Sequence, residues 1–219
     1  MRTALFLLFY LCLTLGLFAQ KESNTSSQKS AITMSAAVFP YKVGIQPGVQ
    51  FKLGKRLDFI TECAFTLTGR GNNQYDETHF FKLAGELKCY SKQSVGRYFS
   101  LQTGYISRKF QAKDSGWFWK KDSSDASGYS SALINSPVIF AAIKCGKEIK
   151  VGDKFFLDFL LGVGARYICT TYNAQDVHSI GRLGGEQDNI FELAGYSWQH
   201  EENEVKFHGT AGVRVGMRF

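Results

Sequence analysis

The sequence predicts an all-β chain folded as an eight-stranded antiparallel up-and-down transmembrane β-barrel. Three observations predict it. From Val205 to the chain end, Val205, Phe207, Gly209, Ala211, Val213, Val215, Met217 and Phe219 are apolar or small, while Lys206, His208, Thr210, Gly212, Arg214, Gly216 and Arg218 are polar or glycine. Successive side chains of a strand point to opposite faces, so this alternation makes a strand with one apolar face. The N-terminus carries an apolar leader of export type. Between the two, alternating segments are joined by connections that are short and long by turns.

The leader takes residues 1–19. Arg2 precedes a nearly unbroken apolar run from Ala4 to Phe18, and Ala19 is a small residue where a cut before Gln20 would fall. The run is shorter than the ~20 apolar residues of a spanning helix, so it reads as a cleaved signal peptide rather than an anchor. Cys12 has no small residues just before it, which argues against lipoprotein cleavage there. Residues 20–30 are polar and too poor in apolar groups to order themselves; they read as a disordered periplasmic tail. Residues 31–219 form the barrel domain.

Strand one carries Ile32, Met34, Ala36 and Val38 on one face, and Phe39-Pro40-Tyr41 turns the chain. Strand two, Ile45 to Leu53, sets Val49, Phe51 and Leu53 against Gln46, Gln50 and Lys52; Gly54-Lys55-Arg56 is a tight turn. Strand three, Leu57 to Leu67, sets Leu57, Phe59, Cys63 and Phe65 against Asp58 and Glu62. A polar loop, Gly69 to Thr78, leads to strand four, His79 to Tyr90, with Phe81, Leu83, Leu87 and Cys89 opposite Lys82, Glu86 and Lys88. Strand five, Tyr98 to Phe110, has Phe99, Leu101 and Tyr105 outward and Gln102 inward. After a long loop, Gln111 to Asn135, strand six (Ser136 to Lys150) sets Ile139, Ala141, Ile143 and Cys145 against Lys144 and Glu148. Strand seven, Phe155 to Tyr172, sets Leu157, Phe159, Leu161 and Val163 against Asp158 and Arg166. The longest loop, Asn173 to Glu204, leads to the terminal strand.

Connections at one end (Gly54 to Arg56, Ser91 to Arg97, Val151 to Lys154) are short, and those at the other are mostly long. Bacterial outer-membrane barrels show this asymmetry, with an even strand number, short periplasmic turns and longer outer loops. The net charge is +7, but the basic residues cluster no further than pairs such as Lys55-Arg56, Arg108-Lys109 and Lys120-Lys121. Nothing in that spread points to nucleic acid. Cys63, Cys89, Cys145 and Cys169 fall on the apolar alternation and read as small lipid-facing hydrophobes rather than disulfide partners.

The rival architecture is a soluble lipocalin-like barrel with the same alternation and the faces exchanged. Aromatics near strand ends favour the membrane form: Tyr90, Phe99, Phe155 and Phe219 at one level, Phe65, Tyr105, Tyr167 and Phe207 at the other, as in interfacial girdles. The ending Val213, Val215, Met217, Phe219 resembles the C-terminal assembly signal of outer-membrane barrels. The segments IQPGVQFKLGKRLDF (Ile45 to Phe59), FKLAGELKCY (Phe81 to Tyr90) and YFSLQTGY resemble small outer-membrane barrel proteins of Bacteroidota. The resemblance covers about half the chain and is structural. It implies a barrel of largely unknown role, and no catalytic residue carries across from it. The overall expectation is an outer-membrane location, insertion by the barrel-assembly machinery with periplasmic chaperones, and contact with outer-membrane lipid and lipopolysaccharide.

The polar faces gather Lys52, Asp58, Glu62, Lys82, Glu86, Lys88, Lys144, Glu148, Asp158, Arg166, Arg214 and Arg218 inside the barrel. A barrel of eight strands is narrow enough for side chains to fill, and buried charges must pair. The expectation is a salt-bridged, largely closed interior in a monomer; a narrow ion or solute channel is the alternative. Trp117 and Trp119 in the third outer loop, flanked by Lys113, Lys120 and Lys121, and Tyr196 and Trp198 in the fourth read as interfacial anchors or a recognition surface. A lipid-modifying enzyme would need a base and an acid near the outer rim. His79, His178, His200 and His208 with Asp76, Glu77, Asp176 or Ser197 are the candidates, but no nucleophile motif accompanies them. No cofactor or metal site is expected. The role read from sequence is structural, or recognition through the outer loops.

Overall fold

Period-two alternation recurs along nearly the whole described chain, and it builds strands throughout. The computed structural model describes residues 30–39, 42–68, 75–112, 116–119, 126–181 and 203–219. The leader, the tail to residue 29, the Pro40-Tyr41 turn, residues 69–74 and residues 182–202 lie outside the described residues. The strands are β1 (Ala31–Phe39), β2 (Lys42–Lys52), β3 (Leu57–Thr68), β4 (Tyr75–Tyr90), β5 (Arg97–Ala112), β6 (Gly116–Trp119), β7 (Ala126–Tyr129), β8 (Ser131–Asn135), β9 (Val138–Val151), β10 (Phe155–Cys169), β11 (Thr171–Gln175), β12 (His178–Gly181) and β13 (Asn203–Arg218).

Eight of them close a barrel in which every pairing is antiparallel. The order is β1, β2, β3, β4, β5, β9, β10, β13 and back to β1. Closure pairs each of these strands on both sides over at least part of its length, which reduces the aggregation hazard of a bare strand. The seam is short: β1 meets β13 over Ala31–Ser35 and Arg214–Arg218, whereas β10 follows β13 from Phe155 to Cys169.

One end carries the tight connections. Leu53 and Gly54 donate backbone N–H groups to the Leu57 carbonyl at 2.8 and 3.1 Å and close the β2–β3 hairpin. Gly96 and Gly152 sit in the other two turns at φ 77° and 68°, a region that suits glycine. At Gly96 a Cβ would also strike the Glu148 carbonyl, while Gly96 itself accepts the Glu148 N–H at 2.9 Å.

The other end departs from the loop expected there. Within the predicted loop from Gln111 to Asn135 the chain forms β6, β7 and β8, and β11 and β12 occupy the start of the predicted Asn173 to Glu204 loop. β8 continues the line of β9 across a break at Ser136-Pro137, and β11 continues β10 across Thr170. Proline has no N–H to give the ladder, so the break falls there. The predicted sixth strand therefore starts at Val138 rather than Ser136, and the seventh stops at Cys169 rather than Tyr172. β5 pairs with β9 below the break and with β8 above it, so three long strands rise beyond the ring.

β6, β7 and β12 make a separate three-stranded sheet. Its Phe118 and Tyr129 pack with Phe110, Ala112, Ala132 and Ile134, and Tyr172 and Ala174 lean on the cluster. Phe118 stacks on Tyr172 at 4.2 Å between centroids and 8° between planes. Phe110 and Ala112 continue the inward-facing row of β5, so the small sheet covers the lumen side of the raised wall.

The faces of the barrel are polarised oppositely to those of a soluble barrel. Phe99 and Val163 are 70 % exposed and Leu161 62 %, while Lys88 and Asp158 are 0 % and Arg214 1 % exposed. The apolar rows face out, and the charged residues of the lower barrel face in. This excludes the lipocalin-like arrangement, in which the faces are exchanged. Cys63, Cys89, Cys145 and Cys169 are free thiols, half-buried or exposed, at outward positions of their strands.

Candidate functional site: the charged lumen

The inward residues of the lower barrel are charged because each strand places its polar set on one side. In a space this narrow they are taken out of water, so the cost of each charge must be met by close partners. Arg214 on β13 is the hub. Its Nη1 donates to Asp158 Oδ2 at 2.7 Å, its Nη2 to Glu86 Oε2 at 2.9 Å and its Nε to Glu62 Oε1 at 2.8 Å. Only a guanidinium presents several donors in a fixed planar fork, so one side chain ties β13 to β3, β4 and β10.

Lys88 is the second hub. Its Nζ lies 2.6 Å from Asp158 and 2.9 Å from Glu148, and 4.1 Å from the centroid of the Tyr98 ring. Lys144 reaches Glu86 at 3.2 Å, and Arg218 reaches Glu148 at 2.9 Å while lying over the Phe156 ring. Neutral donors complete the carboxylates. Gln46 and Gln102 donate to Glu62, Ser100 to Glu86, and Tyr98 to Asp158. Gln50 donates to Asp58 at 2.6 Å and also to Glu148, which accepts from Tyr90 as well. The network crosses the lumen from wall to wall.

Three sequence-predicted members stand apart from the centre. Lys52 is paired in register with Asp58, but Gln50 makes the hydrogen bond to that carboxylate, and Lys52 lines the lower mouth with Arg218. Lys82 donates to Gln46 at 3.0 Å and lies over Phe140. Arg166 makes no hydrogen bond or ion pair among the described residues; it lies near Lys82 and the buried His208.

Sequence reasoning missed several parts of this arrangement. Tyr90, expected in the lower aromatic girdle, points inward to Glu148 because it shares the parity of Glu86 and Lys88. Gln46, Gln50 and Gln102 fall on the inward face read from the sequence but outside the charge network expected there, which they complete. Tyr98 and Ser100 also lie on the inward parity, which is the signal that would have found them. Above the ions the same inward positions turn apolar. Ala64, Phe80, Ala84, Ile106, Val138, Phe140 and Ile168 form one buried cluster and fill the upper lumen. Higher still, Arg108 donates to the Ser136 carbonyl at 3.0 Å and the Ser136 hydroxyl at 2.9 Å, and Ser136 meets Thr170 at 3.0 Å. Arg108 thus fastens β5 to both strand breaks.

The terminal residues Val213, Val215, Met217 and Phe219 are all exposed on the outer face. Trp117 lies on a strand, half-buried, beside the buried Phe118. The Trp119 side chain and Tyr196, Trp198, Ser197 and His200 lie outside the described residues, as do Lys113, Lys120, Lys121 and the side chains of Asp76, Glu77 and His79. His178 is exposed on β12, its Nδ1 3.1 Å from the Asp176 carbonyl oxygen. His208 lies inside the barrel rather than at the rim. Among the described residues no group of three or more His, Cys, Asp or Glu is arranged to hold a metal ion.

Geometry of this kind can brace a wall and fill a lumen. Comparison with protein-family models, with curated proteins and with solved structures returned no match. The chain is thus described by its own architecture: a closed eight-stranded antiparallel barrel with a charged lower lumen, an apolar upper lumen and an apolar outer wall.

Proposed function

We propose that this chain is a small outer-membrane β-barrel with a closed, salt-bridged lumen, acting as a structural or recognition element of the cell surface. The observation that carries the reading is the inverted polarity of the wall. On soluble monomers the largest apolar patches are about 300–600 Å². Here exposed Ile32, Met34, Phe99, Leu101, Ile139, Ile143, Leu161, Val163 and Phe207 belong to an apolar surface spread over the strands around the ring. Hydrocarbon is the solvent that such a wall fits, and the closed ring pairs the backbone of most of its strands as lipid requires. The resemblance to small outer-membrane barrels of Bacteroidota and the apolar leader support the same location.

In that orientation the short turns face the periplasm and the raised wall with its β6–β7–β12 sheet faces outside. Recognition would fall to that sheet, which is buttressed by its own apolar cluster rather than left to loose loops. The ionic layer and the apolar cluster above it support a lumen that does not conduct. Purified protein in planar bilayers is expected to show no steady conductance. A stable conductance that changes with Arg166→Ala or Arg214→Ala would contradict the closed lumen and favour a channel.

A further inference from the structure

The outer wall carries one place where two positive charges oppose each other. Arg97, the first residue of β5, is the cross-strand partner of Lys147 on β9. Both are exposed, and neither side chain has a hydrogen bond or ion pair among the described residues. Like charges directly opposite on one sheet face destabilise the pairing unless something negative lies between them. Beside them the Ser91–Arg97 turn contributes Ser91 and Ser94 to the same groove.

From this polar head a groove of about 960 Å³ runs up the wall. The next outward row reads Phe99, Cys145, Leu161, Ala211 across four neighbouring strands. Cys145 and Ala211 are small where their neighbours are large, so the wall is locally low between Phe99, Phe159 and Leu161. A basic, hydroxyl-lined head joined to an apolar trough has the shape and polarity of an amphiphile with an anionic head.

We infer that Arg97 and Lys147 bind the phosphate of a phospholipid, one of whose acyl chains lies in the trough over Cys145 and Ala211. The inference rests on the membrane reading above. The head lies at the end with the short turns, so the occupant is a phospholipid of the periplasmic leaflet rather than lipopolysaccharide. Its phosphate would bridge the two cations and so fasten β5 to β9, a pairing that skips β6, β7 and β8 in the chain.

The test uses the full mature chain in detergent, titrated with palmitoyl-oleoyl phosphatidylglycerol and read by native mass spectrometry. The parent is expected to retain one lipid. The double variant Arg97→Gln/Lys147→Gln should bind it at least on the order of tenfold more weakly. Ala211→Phe fills the trough with the cations intact and should also lose the lipid. Heat-modifiable gel mobility after refolding into phosphatidylcholine vesicles checks folding and insertion of each protein. Equal retention by parent and variants that all insert overturns the lipid site and leaves the membrane reading standing. Failure of the parent to insert overturns both. A dimer that Ala211→Phe dissociates assigns the trough to a second copy of the chain and also overturns the lipid.

Discussion

Arg214→Met is expected to destabilise the barrel by about 3–5 kcal/mol, the cost of leaving buried charges without their partner. The variant keeps most of the volume but removes the fork that holds Glu62, Glu86 and Asp158. Lys88 and Lys144 remain, yet each is already committed to Asp158, Glu148 or Glu86. Urea titration of the refolded protein, read by heat-modifiable mobility, should show a midpoint far below that of the parent. Neutralising the abandoned acids in the triple variant Arg214→Met/Glu86→Gln/Asp158→Asn should recover part of the loss. A single variant as stable as the parent would mean that the hub bears no weight.

Deleting Phe219 is expected to have its largest effect in cells. The side chain is 65 % exposed on the outer face, and its N–H donates to the Ser30 carbonyl at 3.1 Å, beside the short β13–β1 seam. One aromatic lost from a wall rich in them removes roughly 1–3 kcal/mol of burial in lipid. The protein should therefore refold nearly normally in detergent. If the terminal Val213, Val215, Met217, Phe219 row is read by an assembly machinery, the same deletion should strongly reduce the amount recovered in the outer-membrane fraction. Recovery equal to the parent would leave Phe219 as ordinary wall packing.

The ring was legible in the sequence because parity is a strict rule of strands. Asp58, Glu62, Glu86, Lys88, Lys144, Glu148, Asp158 and Arg214 share the inward parity of their strands, and they meet across the lumen. Which face was outside was not contained in the alternation, and only the exposure of residues such as Phe99 and Val163 decided it. Parity also fails to announce apolar residues on the inner face. Phe80, Ile106 and Phe140 fall at inward positions, where a reader expecting polar contents assigns no role.

The raised wall was missed for a different reason. Ser131 to Asn135 alternates, with Ala132 and Ile134 buried against exposed Leu133 and Asn135, but over only a few residues bordered by serine and glycine. Such a short segment is ambiguous alone. It becomes a strand because Lys109 to Ala112 of β5 and Thr171 to Gln175 of β11 offer it edges on both sides. Tertiary pairing, not local pattern, decides segments of this length.

The central claim is that the apolar wall faces lipid, and depth-dependent quenching tests it most directly. A bimane would be attached to a single cysteine at Leu161 or at Ser94, in a chain whose native cysteines are alanine, refolded into vesicles holding mid-depth spin-labelled lipid. Leu161 lies on the outer face in the middle of β10, and Ser94 lies in a short turn. Strong quenching at Leu161 and little at Ser94 is the expected result. Equal and weak quenching at both sites would contradict a wall embedded in hydrocarbon.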